Sequence, residues 1–468
     1  MLSSKALSSK ALSSKAGFIV YGTHKDGLND PMGVPFIDSK IIESQKKALL
    51  SRDIELVEWG IILATKAEAK EALASMKKDD SIDALILCSG TWIWASNMIA
   101  AIRDFAMTGK PIIIWTHSGS QGWRPVGGLV LHAALLEVGI AHKFVYAAAD
   151  ETEEIDVIVN YCRAGRIKNS LNQATIGVFG GRGMGQTCGV ADPAQWMRVF
   201  GVDIDSRDTS ELLQTAKEIS DGEISAVLPK IEKLFGTKPP DDDTSRRSIA
   251  LYLALKKVIA KNAFDFYTIQ SFPGLGDDYG ATCFAQSLML DDGVPTSTLS
   301  DFNTAMSVYI MMKMSGGPVY YGDLQHVDKA AKEIKIIGDG ACPPSMADPR
   351  DPAGFAGHGI PTEGSAGGLS VRLTCKPGPG VLARLGRTNG QFVMVLAKGE
   401  VFVPDNLEKR KDECGIPFWP HAFIKVEGDM DRLLENYSSE YGVLGYGKEL
   451  YGGVRAFCEI MGIKLIEV

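Results

Sequence analysis

Short apolar runs alternate with longer helical patterns through the first part of the chain, and this alternation restricts the fold more than any other feature. Strands are predicted at residues 18–21, 84–88 and 112–115, and a helical stretch is predicted at 66–77. Strands that alternate with helices form βαβ units, whose strands pair in parallel with helices on both faces of the sheet. The pattern therefore predicts an N-terminal doubly wound α/β domain over residues 17–168.

The same rhythm restarts after this domain and then changes character. The segment TIGVFGG at 175–181 is typical of a buried strand that opens into a glycine-rich turn, and it begins a second doubly wound domain predicted over 169–300. Residues 301–468 show period-two patterning with Gly and Pro between the runs, which favours antiparallel strands in a small barrel or sandwich. The fold class predicted is α/β, with two consecutive doubly wound parallel-sheet domains followed by a β-rich, barrel-like C-terminal domain with a closing helix. Residues 1–16, which repeat LSSKA, are predicted to form a low-complexity N-terminal arm.

Charge and hydropathy exclude two classes of partner. The formal net charge is −8 and the Lys and Arg residues are scattered, so no basic stripe is present and no nucleic acid partner is expected. No apolar run reaches the roughly 18–20 residues that a membrane span needs, so no membrane partner is expected. The eight cysteines lie far apart without a Cys-x-x-Cys pair, which favours reduced thiols and a cytoplasmic location.

In open parallel sheets, ligands bind beyond the carboxyl ends of the strands, so the turns after strands are the places to search for a site. The turn after 84–88 presents Trp92, whose indole face suits the apolar side of a sugar ring, although tryptophans in such loops also serve as packing residues. The turn after 112–115 presents Ser118 and Ser120 beside glycine amides. These groups can bind hydroxyl or anionic substituents.

The turn Gly180-Gly-Arg-Gly-Met-Gly185 resembles a dinucleotide-binding fingerprint, and Asp205 ends the next strand about 20 residues later. A nicotinamide-dependent oxidoreductase is therefore one alternative. The next helix begins only beyond Pro193, so a pyrophosphate at this turn would have no helix N-terminus directly behind it. Arg182 is better assigned to a polar or anionic group of a substrate.

Carboxylates follow the later strands of the second domain. Asp277 and Asp278 lie in the turn after the strand that ends at Gln270, and Asp301 begins a helix. Two carboxylates from successive strand ends can share a divalent cation or act as an acid/base pair, whereas Asp at a helix start can also serve as a cap alone. We expect Asp277 and Asp301 to face one another in a common pocket as catalytic residues.

The order of these segments resembles the L-fucose/L-arabinose isomerase family from Gly17 to Val468. The resemblance lies in five stretches of the sequence: 176–185, 269–309, 338–346, 418–423 and 457–465. It implies two N-terminal α/β domains with a C-terminal β-rich domain, metal-dependent aldose–ketose isomerase activity, and homo-oligomers that are trimers or hexamers. In that family a manganese-type cation is held by two acidic side chains and a histidine, and it polarises the carbonyl and the adjacent hydroxyl.

The chain departs from the family pattern at the expected metal ligands. It reads Pro273-Gly274-Leu275 where relatives commonly read Pro-Glu-Leu, and Leu299-Ser300-Asp301 where they read Glu-x-Asp. The region of the family histidine reads Ser439-Glu440-Tyr441. A divalent metal (Mn or Mg) is implied by the resemblance, and the ligands predicted for it are Asp277, Asp301 and Glu440, with His326 or His358 able to complete the set.

The predicted function is aldose–ketose isomerisation of a sugar or sugar derivative. Eight residues are predicted to contact the substrate: Arg182, Trp92, Ser118, Ser120, Met184, Phe272, His358 and Tyr441. Two alternatives stay open. One is a family member without the metal site that binds a carbohydrate or acts as a partner protein, and the other is the nicotinamide-dependent oxidoreductase.

Overall fold

The computed structural model describes residues 13–23, 38–119, 123–183, 185–271, 273–358 and 366–468. The chain divides into two compact units, one spanning Leu12–Ser170 and the other comprising Leu171–Val468 in its described part. The second and third predicted domains both lie within the latter unit. In the described ranges, no helix is both long and apolar enough to cross a bilayer.

The first unit is a doubly wound α/β fold, as the sequence predicts. Its strands are β1 (Ser14–Tyr21), β2 (Ile54–Glu58), β3 (Ala84–Ser89), β4 (Ile112–Thr116) and β5 (Lys143–Tyr146), and its helices are α1 (Ser39–Leu50), α2 (Lys66–Lys78), α3 (Ile99–Ala106), α4 (Arg124–Glu137) and α5 (Thr152–Leu171). The strands form one parallel sheet in the order β2-β1-β3-β4-β5. Strand β1 begins at Ser14, inside the segment predicted as an arm, because it pairs with β2 from that residue onward.

Local sequence explains the elements of this unit. Every residue of β3 and β4 is buried, in agreement with runs of apolar residues that have helices on both faces. Helix α2 begins with a capping box, in which Thr65 accepts from the backbone N–H of Glu68 and the Glu68 carboxylate accepts from the backbone of Thr65. This reciprocal pair ends the turn that follows β2 and fixes the start of the helix.

The second unit begins with another parallel sheet. Its strands are β6 (Thr175–Phe179), β7 (Asp203–Arg207), β8 (Phe266–Ile269) and β9 (Thr296–Ser297), and its helices are α6 (Pro193–Phe200), α7 (Thr209–Lys217), α8 (Asp221–Phe235), α9 (Asp243–Asn262), α10 (Gly274–Asp278), α11 (Cys283–Asp291) and α12 (Phe302–Ser315). The order is β7-β6-β8-β9. Strand β6 lies between β7 and β8, so its carboxyl end opens at the centre of the sheet edge.

The C-terminal part is a closed antiparallel barrel. Its strands are β10 (Tyr320–Asp328), β11 (Glu333–Ile337), β12 (Gly354–Gly357), β13 (Leu369–Arg372), β14 (Gly378–Thr388), β15 (Gln391–Val401), β16 (His421–Val426), β17 (Tyr441–Tyr446) and β18 (Lys464–Glu467), and its helices are α13 (Leu407–Asp412), α14 (Met430–Asn436) and α15 (Lys448–Met461). Six strands close in the order β14-β17-β10-β11-β16-β15, because β15 also pairs with β14. The barrel and the closing helix confirm the predicted fold class.

Two features hold the barrel in place. The β14–β15 hairpin turns at Asn389-Gly390, where both residues adopt left-handed backbone angles (φ +52° and +77°), the combination that a two-residue hairpin needs. Helix α12 is buried along nearly its whole length. It packs against β8 and β9 of the sheet and against β14 and β17 of the barrel, so the barrel strands are held beside the ends of the sheet strands.

Candidate functional site

The turns that follow β6, β8 and β9 meet at one edge of the second sheet. The backbone N–H of Gly181 donates to the side chain of Gln270 at 2.9 Å, and the N–H of Ser300 donates to the carbonyl of Ile269 at 3.0 Å. A side chain at Gly183 would overlap with the carbonyl of Leu299, so only glycine permits this approach. Residues after three neighbouring strands therefore converge, as ligand sites in open parallel sheets require.

The turn between β9 and α12 is strained. Leu299 and Ser300 both adopt left-handed backbone angles, with φ of +57° and +53°, although neither is glycine. Such residues cost on the order of 1–3 kcal/mol each and concentrate at functional sites. The Ser300 hydroxyl is buried without a hydrogen-bond partner among the described residues. The strain and this hydroxyl mark the end of β9 as the centre of the candidate site.

Asp301 follows this turn, and its carboxylate is fully buried. One oxygen accepts from the backbone N–H of Thr304 at 2.9 Å, which caps α12, and the other accepts from the Thr304 hydroxyl at 2.9 Å. The second oxygen also pairs with Nη2 of Arg384 at 2.8 Å. Arg384 lies on β14 and is also fully buried. The carboxylate is therefore both a helix cap and half of a buried ion pair.

The other carboxylates predicted for the site lie in different surroundings. Asp277 is exposed on the short helix α10, as is Asp278. Glu440 is exposed just before β17, where its carboxylate accepts from the side chains of Gln186 and Ser439. Gln186 belongs to the turn after β6, so Glu440 joins that turn to the barrel.

The residues predicted as metal ligands do not fit a divalent cation. Such a cation needs several oxygen or nitrogen ligands converging on one point. The buried carboxylate of Asp301 already holds a guanidinium, whereas Asp277 and Glu440 are exposed. In the part of the chain that the structure describes, no three His, Cys, Asp or Glu side chains are grouped closely enough to hold a metal ion.

A second group of polar side chains lies where the barrel meets the end of β9, and we call Thr298, Tyr321, Asp339 and Tyr441 the tyrosine–aspartate cluster. The hydroxyls of Thr298 and Tyr441 lie 3.4 Å apart, and the rings of Tyr321 and Tyr441 meet nearly at right angles, with centroids 6.1 Å apart. Burial, and then the negative charge of Asp339, raises the pKa of both tyrosines well above the usual range. Both hydroxyls therefore stay protonated at neutral pH and can donate to a bound oxygen.

His358 lies beside this cluster. Its Nδ1 is 3.2 Å from the Ser370 hydroxyl and 3.8 Å from the Cys283 sulfur. That sulfur in turn donates to the backbone carbonyl of Asp339 at 2.7 Å. The imidazole stacks on Trp419 with the ring centroids 5.9 Å apart. These contacts bring the predicted substrate residue His358 to the same loop as Asp339.

The predicted substrate residue Arg182 stabilises its own turn. Its guanidinium donates to the backbone carbonyls of Gln186 and Gly185. Helix α6 begins at Pro193, well beyond the glycines, so no helix N-terminus of the described chain stands directly behind the turn as dinucleotide binding would require. Three further predicted substrate residues lie outside the described residues: Ser120, Met184 and Phe272.

The first unit has a cavity of its own, with a volume of about 310 Å³. Thr23 after β1, Lys66 at the start of α2 and the residues Trp92, Trp94 and Asn97 after β3 line it. The order β2-β1-β3 makes this the point where the strand order reverses, the usual ligand position in such sheets. The two indole rings meet edge to face with centroids 4.9 Å apart, and Trp94 is 67% exposed. Trp92, which is predicted to contact the substrate, therefore lines a cavity at the ends of these strands.

Ser118 also lies in the first unit, after β4. Its hydroxyl donates to the carboxylate of Glu151, which also accepts from the backbone N–H of Ala148 at 2.8 Å. The Ser118 hydroxyl, and then this N–H, holds the pKa of Glu151 below its usual range. In this arrangement the hydrogen bond from Ser118 to Glu151 closes a local turn. Ser118 could donate to a substrate only by giving up this hydrogen bond.

Comparison with known proteins supports the resemblance that the sequence predicts. Residues 352–468 match the family described as L-fucose isomerase, C-terminal domain. The C-terminal part of this chain is therefore similar to the fucose isomerases. Sulfoquinovose isomerases from Priestia aryabhattai, Clostridium sp. strain MSTE9 and Alkalicoccus urumqiensis are each 23% identical to it. The alignments cover 72%, 67% and 73% of this chain and 76%, 68% and 78% of those proteins, respectively. The predicted resemblance is confirmed.

Several residues of the candidate site were not predicted from the sequence. Asp339 lies in the turn Gly338-Asp-Gly-Ala-Cys-Pro-Pro-Ser-Met346, one of the stretches that resemble the family, but nothing in the local sequence marks it as a site residue. Arg384 could have been recognised from the sequence as a site residue, because it is the single charged residue in the apolar strand segment Val381-Leu-Ala-Arg-Leu385. Tyr321 gave no such signal, since a tyrosine in a strand is most often a packing residue.

Proposed function

We propose that this protein is a sugar isomerase that interconverts an aldose and a ketose. The observation that carries the proposal is the tyrosine–aspartate cluster, which places a carboxylate and two protonated hydroxyls at a strand end of a fucose isomerase-like fold. Relatives that align over most of their own length are sulfoquinovose isomerases, which is the same reaction class. A sugar that carries an acidic substituent, with sulfoquinovose first, is therefore the substrate to test.

The reaction moves protons between two adjacent carbons and needs no external oxidant. A base removes the proton from C2 of the aldose while the carbonyl oxygen at C1 gains a proton, which gives an enediol. The O2 hydroxyl then loses its proton and C1 gains one, so C2 becomes the ketone. The enzyme must supply a base near C2 and donors to the oxygens on which negative charge develops.

The cluster has residues suited to each of these tasks. Asp339 is assigned the role of the base. Its negative charge raises the pKa of both cluster tyrosines. Its backbone carbonyl accepts from the Cys283 sulfur, which in turn lies next to His358. Tyr321 and Tyr441 are assigned to donate to the oxygens of the enediol, since their raised pKa keeps them protonated. His358 is positioned to act as a donor as well.

The site residues predicted from sequence keep narrower roles in this proposal. Asp277, exposed on α10, is a second acid/base candidate, and Arg182 is a candidate contact for a polar or anionic substituent of the sugar. Asp301 acts through the start of α12, whose position it fixes. The trimeric or hexameric state rests on the family resemblance, and light scattering after size-exclusion chromatography measures it directly.

A second candidate function is sugar binding without turnover. The cavity beside Trp92 and Trp94 favours it, because exposed indole faces next to hydroxyl and amide groups suit a sugar ring. It also requires none of the acid/base chemistry assigned to the cluster.

Incubation of the full chain with sulfoquinovose and a panel of aldoses in D₂O separates the two candidates. Isomerisation yields the ketose, with deuterium at C1 to the extent that the moving proton exchanges with solvent, and NMR detects both. Isothermal titration calorimetry on the same sugars measures binding. Binding of a sugar together with no ketose and no exchange of the C2 proton would establish the binding protein and refute the isomerase.

A further inference from the structure

The buried pair between Asp301 and Arg384 is the feature of the site that neither the fold nor the proposed reaction requires. Both side chains are fully buried, and Nη2 of Arg384 lies 2.8 Å from the Asp301 carboxylate. Nη1 of Arg384 donates to the hydroxyl of Thr304, which itself donates to the carboxylate. The three side chains form a closed ring of hydrogen bonds at the first turn of α12.

The carboxylate has little room for another partner. A Cβ placed on Gly189 would lie 3.1 Å from the carboxyl carbon of Asp301, so the backbone of the turn after β6 packs directly against it. The carbonyl of Gly189 also accepts from the N–H of Phe302 at 3.0 Å, which keeps that turn in place. A metal ion with its remaining ligands would need this space.

The positive charge of Arg384 also opposes binding of a metal ion at Asp301. A guanidinium remains protonated at every pH at which proteins fold. A divalent cation within bonding distance of Asp301 would stand beside this fixed positive charge, at a depth where water does not screen the repulsion. The ion could bind only if Arg384 left, and a buried arginine separated from its carboxylate is strongly destabilising.

We propose that Arg384 is the resident cation of the Asp301 carboxylate and that Asp301 therefore binds no divalent metal ion. The guanidinium supplies the positive charge at the end of β9, and through Asp301 it fixes the start of α12 beside the strained turn. This inference concerns the ion pair alone and stands whether or not the protein isomerises sugars.

The first test measures uptake of Mn²⁺ by the full chain. Free Mn²⁺ is followed by electron paramagnetic resonance in titrations of wild type, Asp301→Asn and the exposed control Asp278→Asn. We expect wild type and Asp301→Asn to bind the same amount of Mn²⁺ per chain. This amount can be zero. Stoichiometric uptake that is lost in Asp301→Asn and kept in Asp278→Asn would overturn the proposal.

The second test measures the pair itself by thermal unfolding. Asp301→Asn and Arg384→Met should each lower Tm by roughly 5–15 °C, because each leaves one buried charge without its partner. The double variant Asp301→Asn/Arg384→Met removes both charges. Its Tm should fall by clearly less than the sum of the decreases in the two single variants. Additive losses would refute the pairing. If Asp301→Asn does not fold, the double variant replaces it in the Mn²⁺ titration.

Discussion

The hydroxyl oxygens of Thr298 and Tyr441 lie 3.4 Å apart, although the two residues are separated by 143 positions in the chain. Thr298 directly follows β9 of the parallel sheet, and Tyr441 begins β17 of the barrel. Contact between them means that the site is formed by the end of a strand of the parallel sheet and the start of a strand of the barrel. The proposed chemistry therefore depends on the barrel being docked against the sheet by α12.

Tyr441→Phe tests whether this hydroxyl acts on the substrate. We expect kcat to fall by about 10²-fold or more, because one donor to a developing oxyanion is lost, with a smaller change in KM. The loss of one hydrogen bond should lower the free energy of unfolding by only about 1 kcal/mol. Steady-state kinetics and thermal unfolding measure the two effects separately.

Tyr446→Phe is the matched control, because Tyr446 ends the same strand and its hydroxyl donates to the backbone carbonyl of Lys376 at 2.5 Å. It should keep wild-type kcat. Equal losses of kcat in the two variants would show that the effect comes from the strand and not from the site.

Asp339→Asn tests the base. We expect kcat to fall by about 10²–10⁴-fold, since the amide cannot accept the C2 proton, while the affinity for sugar changes little. The exchange of substrate C2 protons with D₂O should stop together with turnover. Asp278→Asn, which removes an exposed carboxylate of the same type, should keep both. Normal proton exchange in Asp339→Asn would assign the base elsewhere, with Asp277 the next residue to examine.

The fold could be predicted further than the site. Alternating apolar and helical runs predicted both parallel sheets, because each strand buried on two faces must be apolar throughout. The pair between Asp301 and Arg384 joins positions 83 apart, and β14 reaches α12 only because the barrel closes. Asp339 lies in a glycine turn whose neighbours come from β10 and β17. Local sequence identifies such a turn but does not encode which distant strands surround it.

Trp94→Phe tests the cavity of the first unit. Trp94 is 67% exposed at the cavity, so a sugar that stacks there should quench its fluorescence and bind roughly 10-fold less tightly once the indole is lost. Titration with sulfoquinovose, followed by tryptophan emission and calorimetry, measures both. Trp123→Phe removes another exposed indole, before α4 and away from the cavity lining, and should behave as wild type. Unchanged affinity in Trp94→Phe would exclude the cavity as a sugar site.

His421 gives a prediction about pH that is independent of catalysis. It begins β16 with its side chain buried, and burial, followed by the charges of Lys335 and Lys411, lowers its pKa to about 3 from the usual 6.5. Between these two values the unfolded chain binds a proton at this residue and the folded chain does not. Its contribution to stability is therefore fully present above pH 6.5, and it is lost as the pH falls toward 3, at up to about 1.4 kcal/mol per pH unit.

His421→Asn removes this titration, so the free energy of unfolding should vary less steeply with pH below 6.5 than in wild type. Urea unfolding at several pH values between 4 and 8 measures the slope. His326→Asn, which replaces an exposed histidine on β10, should keep the wild-type slope. Parallel curves for wild type and His421→Asn would mean that the buried imidazole is protonated in the folded protein, and the burial argument for its low pKa would then be wrong.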